Sequence, residues 1–235
     1  MNEEMNTPMP PETEPAGFAS WLSTWMDAVT KPNEQTYARI ASSPNAKTTT
    51  AFLWVFIGSL INIFIVSLMQ SAVMGRMMQD YGIEGFSGRG AGFTLLYAIC
   101  GAPVGAIISV LFFAAFTGVV QWVAKMFGGT GTFEQLAYVF AAITVPFTLA
   151  SSVLTLLGAI PYVGFCFGVL GALAGIYVIV LELMAVKSVN QFGWGQAAGS
   201  LFLPGLVIFC CIAAVVAGLV SFLVPVIRET IPQIN

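Results

Sequence analysis

No histidine occurs anywhere in the 235 residues. That absence removes Ser-His-Asp and Cys-His activation of a nucleophile, the histidine-bearing helix of zinc proteases, and histidine ligation of haem or chlorophyll. Cysteine is scarce as well. Cys100, Cys166, Cys210 and Cys211 have no metal-site spacing, and the adjacent pair would point about 100° apart on a helix. They read as small apolar fillers within spans. No span carries paired carboxylates, so neither catalysis nor a cofactor is expected. Charge is scarcest of all. Asp, Glu, Lys and Arg make up 8% of the chain, where a soluble domain carries about 25%. Nucleic acid is not among the expected partners.

What fills the space is apolar. The chain is 57% hydrophobic, with a mean hydropathy of +0.88. Its long apolar runs can each cross a hydrocarbon core of roughly 30 Å at about 1.5 Å per residue. The expected fold is therefore all-α: a polytopic membrane protein with a five-helix transmembrane bundle. The spans fall at 51–74, 93–124, 137–157, 162–186 and 197–224, followed by a short extracytoplasmic tail at 225–235. The second span begins either at Phe93 or, after the Gly101-Ala102-Pro103 break, near Val104. From Phe93 it would be about 50 Å long, so Phe93 to Gly101 belongs to the interface or to the outer end of a tilted helix. Pro146 marks a kink in the third span.

Lys and Arg set the orientation. With a cytoplasmic N-terminus, Lys31, Arg39, Lys47, Lys125 and Lys187 lie inside, and Arg76, Arg89 and Arg228 outside. Trp54, Trp122, Tyr138 and Trp194 then sit at the inner interface, Tyr97 and Tyr162 at the outer one. The expected location is the cytoplasmic (inner) membrane of a prokaryote.

Residues 1–15 are acidic and Pro-rich and are expected to be disordered. Residues 16–50 carry two cytoplasmic helices. In "AGFASWLSTWMDAV", Phe18, Trp21, Leu22, Trp25, Met26 and Val29 repeat at the spacing of one helical face. Two tryptophans on that face suit the headgroup boundary and predict an amphipathic interfacial helix. The alternative is a helix packed on the protein's own inner loops. After Pro32, Glu34 to Ala41 forms a short second helix capped by Asn33.

The stretch "FGGTGTFEQLAYVF", Phe127 to Phe140, resembles a phosphate-cradling loop at first sight. A Walker loop needs Lys and then Ser or Thr after its last glycine. Here Thr132 and Phe133 follow Gly131. Thr132 and Gln135 instead have capping-box spacing. The glycines thus turn the chain between the second and third spans.

A helix ending in "GG.G.F.Q", a next helix with a central proline at Pro146, a short turn, a Lys-containing helix end and a Gly/Ala-rich fifth helix together resemble the Yip-one domain family. "WMDAVTKPNEQTYARIASSP" is similar to the segment that its prokaryotic members carry before the first span. The likeness runs from about Ser20 to Val224. It implies a five-span membrane fold and a non-enzymatic role. Eukaryotic members of the family are five-span endomembrane proteins that bind prenylated Rab-type GTPases and carry a cytosolic Asp-Leu-Tyr-Gly-Pro motif. That motif is missing here, and Asp80-Tyr81-Gly82 follows the first span instead of preceding it. The departure puts GTPase binding in doubt.

One ionisable residue stands within a span. Glu182 lies about 7.5 Å of helix rise before Lys187 and on a different face. It reads as a wet interfacial carboxylate or one bonded to Gln191 or Trp194, and otherwise as a contact for a partner protein or part of an ion path. Asn62, Gln70 and Gln121 read as interhelical hydrogen bonders. Gly101/Gly105, Gly164/Gly168, Gly171/Gly175 and Gly195/Gly199 have GxxxG spacing, for close packing within the bundle or at a subunit interface. The expected function is a membrane scaffold or adaptor acting through lipid, other membrane proteins or self-association. An accessory subunit of a larger complex is the alternative, and a small transporter or channel the second alternative.

Overall fold

The computed structural model describes residues 17–80, 96–158 and 164–230. The N-terminal tail expected at 1–15, the Phe93 start of the second span, Tyr81-Gly82, the 159–163 connection and the last five residues lie outside the described residues. Among the described residues every regular element is a helix. They are α1 (Phe18–Thr30), α2 (Glu34–Ala41), α3 (Thr48–Asp80), α4 (Ala102–Met126), α5 (Phe133–Gly158), α6 (Gly164–Asn190) and α7 (Trp194–Thr230). Among the described residues, four stretches are long and apolar enough to cross a membrane: Thr48–Gln70, Ile99–Met126, Phe133–Gly158 and Gly164–Asn190. The residues expected to form the fifth span, 197–224, lie in the 37-residue α7.

Local sequence explains several boundaries. Asn33 caps α2, accepting a bond from the Thr36 amide at 2.7 Å. Thr132 and Gln135 form the capping box at the start of α5, with reciprocal bonds of 3.3 and 3.0 Å. Glu134 accepts a bond from the Thr48 amide at 3.0 Å, so one helix start supplies an acceptor to another. The Gly101-Ala102-Pro103 sequence does not interrupt the second span. Tyr97–Gly101 is a π-helical turn that runs into α4, and Pro103 sits in the first α-helical turn after it. Pro146 lies inside a continuous α5.

α5 is the central helix. It packs on α3, α4 and α6, while α7 packs on α4 and α6. From Leu136 to Ile143 every residue of α5 is buried. The core is concentrated toward one end, where α3, α5 and α7 start and α4 and α6 finish; Trp54, Val120, Leu181, Val186 and Leu201 belong to it. Toward the far end the helices expose their apolar side chains, among them Phe112, Phe165 and Ile176.

Candidate functional site

Five cations gather around the well-packed end. Lys47 precedes α3, Lys125 and Lys187 lie in the last turns of α4 and α6, and Lys31 and Arg39 belong to the N-terminal segment. This basic end holds the densest polar contacts among the described residues.

Its centre is the glycine turn. Gly128 has φ +85, the left-handed geometry that closes a helix. Gly129 and Gly131 are needed for a different reason. A Cβ on Gly129 would stand 2.6 Å from Asn190 Oδ1, and one on Gly131 would stand 2.7 Å from the Val189 carbonyl oxygen. The turn is thus pressed against the end of α6. Gln121 of α4 donates to the Gly131 carbonyl at 2.7 Å and to Asn190 Oδ1 at 3.0 Å. Asn190 donates to Gln121 Oε1 at 3.3 Å and to the Val186 carbonyl at 3.1 Å. The Thr130 amide donates to the Asn190 carbonyl at 3.2 Å. The ends of α4 and α6 and the turn into α5 are therefore tied in one buried knot. Gln121 is the interhelical bonder its position predicts. Asn190 gave no such signal, because it follows the expected span and looks like a loop polar residue. Asn62 also bonds between helices, donating to Ser152 Oγ at 2.8 Å. Gln70 is exposed.

A strap crosses the same end. Tyr177 of α6 donates its hydroxyl proton to the Val29 carbonyl at 2.9 Å. Ser188 Oγ donates to the Glu34 carbonyl at 2.6 Å, and Lys187 pairs with the Glu34 carboxylate. The Lys187 ammonium also lies 4.4 Å above the Trp194 ring. Within the strap, Tyr37 is fully buried and donates to the Ala28 carbonyl at 2.9 Å. Burial holds its phenol neutral, well above the usual tyrosine range. Asp27 binds Lys31 at 2.8 Å and Arg39 at 2.7 Å. The hydrogen bond from Lys31, reinforced by Arg39 and only partly opposed by burial, holds the Asp27 carboxyl below its ordinary value.

The six residues expected on one face of α1 are divided. Trp25 is buried, and Trp21 and Val29 are half-buried. Trp21 and Trp25 both meet Trp54 edge-on, at ring separations of 5.9 and 5.5 Å. Phe18, Leu22 and Met26 stay exposed. The cover that α1 provides also changes the expected inner aromatic belt. Trp54 and Tyr138 are core residues 4.8 Å apart, whereas Trp122 and Trp194 are exposed.

The glycines divide too. A Cβ on Gly105 would meet Ile63 Cδ1 at 2.9 Å, a close approach of α4 to α3, and Gly199 faces the Phe127 ring at 3.0 Å. Gly164 lies against the Gly158 carbonyl. Gly168, Gly171, Gly175 and Gly195 have open space where a Cβ would stand. Gly101 lies in the π-helical turn. Gly58, which has no GxxxG partner, meets Val145 at 3.1 Å. Cys100, Cys166 and Cys210 are exposed. Glu182 is half-buried and bonds neither Gln191 nor Trp194; it makes no hydrogen bond or ion pair among the described residues. Lys187 is engaged by Glu34 instead.

The family model of the Yip1 domain matches residues 26–217, which takes in the strap, the knot and most of α7. No curated protein and no solved structure matches the chain.

Proposed function

The chain belongs to the Yip1 domain family, and from that premise we propose that it is a non-enzymatic integral membrane scaffold or adaptor, acting through protein–protein or protein–lipid contacts. The observation that carries this is the strap. α1 is fastened to the bundle while Phe18, Leu22 and Met26 stay 68, 49 and 54% exposed. These three follow at four-residue steps and make one stripe. Their level favours a membrane boundary. Val29 is bound to Tyr177, whose Cα lies about 15 Å of rise before that of Lys187. α1 therefore lies beside the spans, not beyond their ends, and acts as an amphipathic interfacial helix.

We take 51–224 as a five-span domain, with α7 supplying the fifth crossing. The cations at the basic end favour a cytoplasmic N-terminus, and five crossings then leave the C-terminus outside. A prokaryotic cytoplasmic membrane is the favoured location.

An accessory subunit is the second reading, favoured by the open faces of Gly168, Gly171 and Gly175 on α6. The test is extraction from the native membrane in mild detergent, then a native gel with mass spectrometry of the band. Migration alone or as a small homo-oligomer is expected for the scaffold. A large band of fixed stoichiometry with unrelated proteins makes the chain a subunit. Cross-linking before extraction should recover partners from the wild type and fewer from Phe18→Ser/Leu22→Ser/Met26→Ser. Equal recovery would remove the stripe from the adaptor's working surface.

A further inference from the structure

α6 carries a seam that its neighbours cover at one end only. Gly168, Gly171, Gly175, Val178 and Glu182 follow at steps of three, four, three and four residues. In one unbroken helix that spacing keeps all five within about 80° of one another, and it is the contact spacing of left-handed helix pairs. Val186 and Asn190 continue the same side toward the basic end. Exposure changes along this ridge. Gly168 and Gly175 are exposed, Gly171, Val178 and Glu182 are half-buried, and Val186 and Asn190 are buried. The bundle thus closes over the seam at its basic end, where Gln121 bonds Asn190, and parts from it toward the far end.

The open part is hollow, not merely apolar. A Cβ on Gly168, Gly171 or Gly175 would meet no atom within 4 Å, while the bulky side chains of Ile176 and Ile179 stand exposed on the adjoining face. The missing side chains leave a groove about 21 Å long from Gly168 to Glu182, in which a second backbone can approach closely. Its foot is charged. A carboxylate within a span is costly to leave alone and normally pairs, yet Glu182 makes no hydrogen bond or ion pair among the described residues. The cation on its own helix, Lys187, is held by Glu34 and Trp194. Lys31 and Arg39 are held by Asp27, and Lys125 by the Thr130 carbonyl. Arg76 and Arg228 lie about 42 and 51 Å of helix rise from the starts of α3 and α7, well beyond this depth. A parallel second copy would therefore set no described cation against Glu182.

We propose that the seam docks a transmembrane helix of another protein, which lays small residues against the three glycines and brings a lysine or arginine to Glu182. Charge complementarity selects this occupant. A lipid chain could fill the groove but would leave the carboxylate unpaired. The glycines supply the close approach, and the ion pair supplies the register and the choice of partner. The surface rests on the reading of the chain as a protein that works through membrane partners, and it names the kind of partner.

The test uses the labelled full-length protein in liposomes and a synthetic Leu/Ala transmembrane peptide with a glycine seam and one lysine set at the depth of Glu182. The control peptide has Met in place of that lysine, and binding is read by energy transfer. The wild type should bind the Lys peptide about 5–30-fold more tightly than the Met peptide. Glu182→Gln should bring that ratio close to one, and Glu182→Lys should instead prefer a peptide with Glu at the same place. Gly171→Leu and Gly175→Leu place their side chains in open space, so they should fold, and each should weaken the Lys peptide about tenfold or more. Equal binding of the Lys and Met peptides by the wild type, or binding of neither, overturns the proposal. So does a preference that survives Glu182→Gln, or unchanged binding in the leucine variants. The cross-linking test of the Phe18, Leu22 and Met26 stripe uses a different surface, so the adaptor reading and the seam can fail separately.

Discussion

Asn190→Ala probes the joint that sets the geometry of the basic end. The asparagine is 1% exposed. Its loss deletes the exchange with Gln121 at 3.0 and 3.3 Å and the bond to Val186. Gln121 keeps its donor bond to Gly131 but leaves Oε1 buried without a donor. An orphaned buried polar group costs about 1–3 kcal/mol, so about 2 kcal/mol is expected. Gln121→Ala should cost a similar amount, since it strands both Asn190 and the Gly131 carbonyl. In the double variant the stranded partner is gone, and the sum should fall short of additivity by about 1–2 kcal/mol. An interhelical bond in a membrane averages only about 0.6 kcal/mol by double-mutant cycles, so the size of the coupling separates a knot from an ordinary contact. The assay is thermal unfolding in detergent. At about 2–4 °C per kcal/mol for a chain of this size, each single variant should lower Tm by about 4–8 °C. A single-variant Tm within about 1 °C of the wild type, or strict additivity in the double, would refute the joint.

The turn glycines should separate by mechanism. Gly128→Ala meets no atoms within 4 Å and pays only for its φ of +85, about 1–2 kcal/mol; Gly131→Ala must push back the Val189 carbonyl, so it should lower Tm further, and equal effects would contradict the close approach. The strap should also respond to pH at both extremes. The folded pKa of Tyr37 is raised, so its contribution is complete below an unfolded value of about 10 and is lost as pH rises through the folded one; tryptophan emission should shift red above about pH 10 in the wild type and not in Tyr37→Phe. The folded pKa of Asp27 is lowered, so its contribution is present above an ordinary value of about 4 and is lost as pH falls through the folded one; hydrogen exchange in α1 should quicken there, and Asp27→Asn should abolish that step.

Much of the fold was legible because it is local. Asn33 before Glu34, and Thr132 with Gln135, satisfy free helix amides through neighbours in sequence, and both caps stand as their spacing predicts. Gln121 was legible for a related reason: an amide deep in an apolar run needs a partner. Asn190 was not, because only its meeting with Gln121 distinguishes it from a loop residue. The tryptophans show the same limit. Period alone places Trp21 and Trp25 on one side of α1, but whether lipid or Trp54 covers that side depends on where the helix docks.

Composition and apolar run length by themselves determined that the chain is helical and crosses a membrane, since backbone amides in hydrocarbon must be satisfied within each segment. Glycine and capping residues determined where the helices stop, because those constraints act within a few residues. Tertiary structure alone decided that the glycine turn is a clamp on Asn190, that half of the α1 face is core, and that Lys187 belongs to Glu34 and not to Glu182. Each of these depends on which helices become neighbours and at what height. That choice is made by packing between segments far apart in the chain, and no period or spacing along one segment records it.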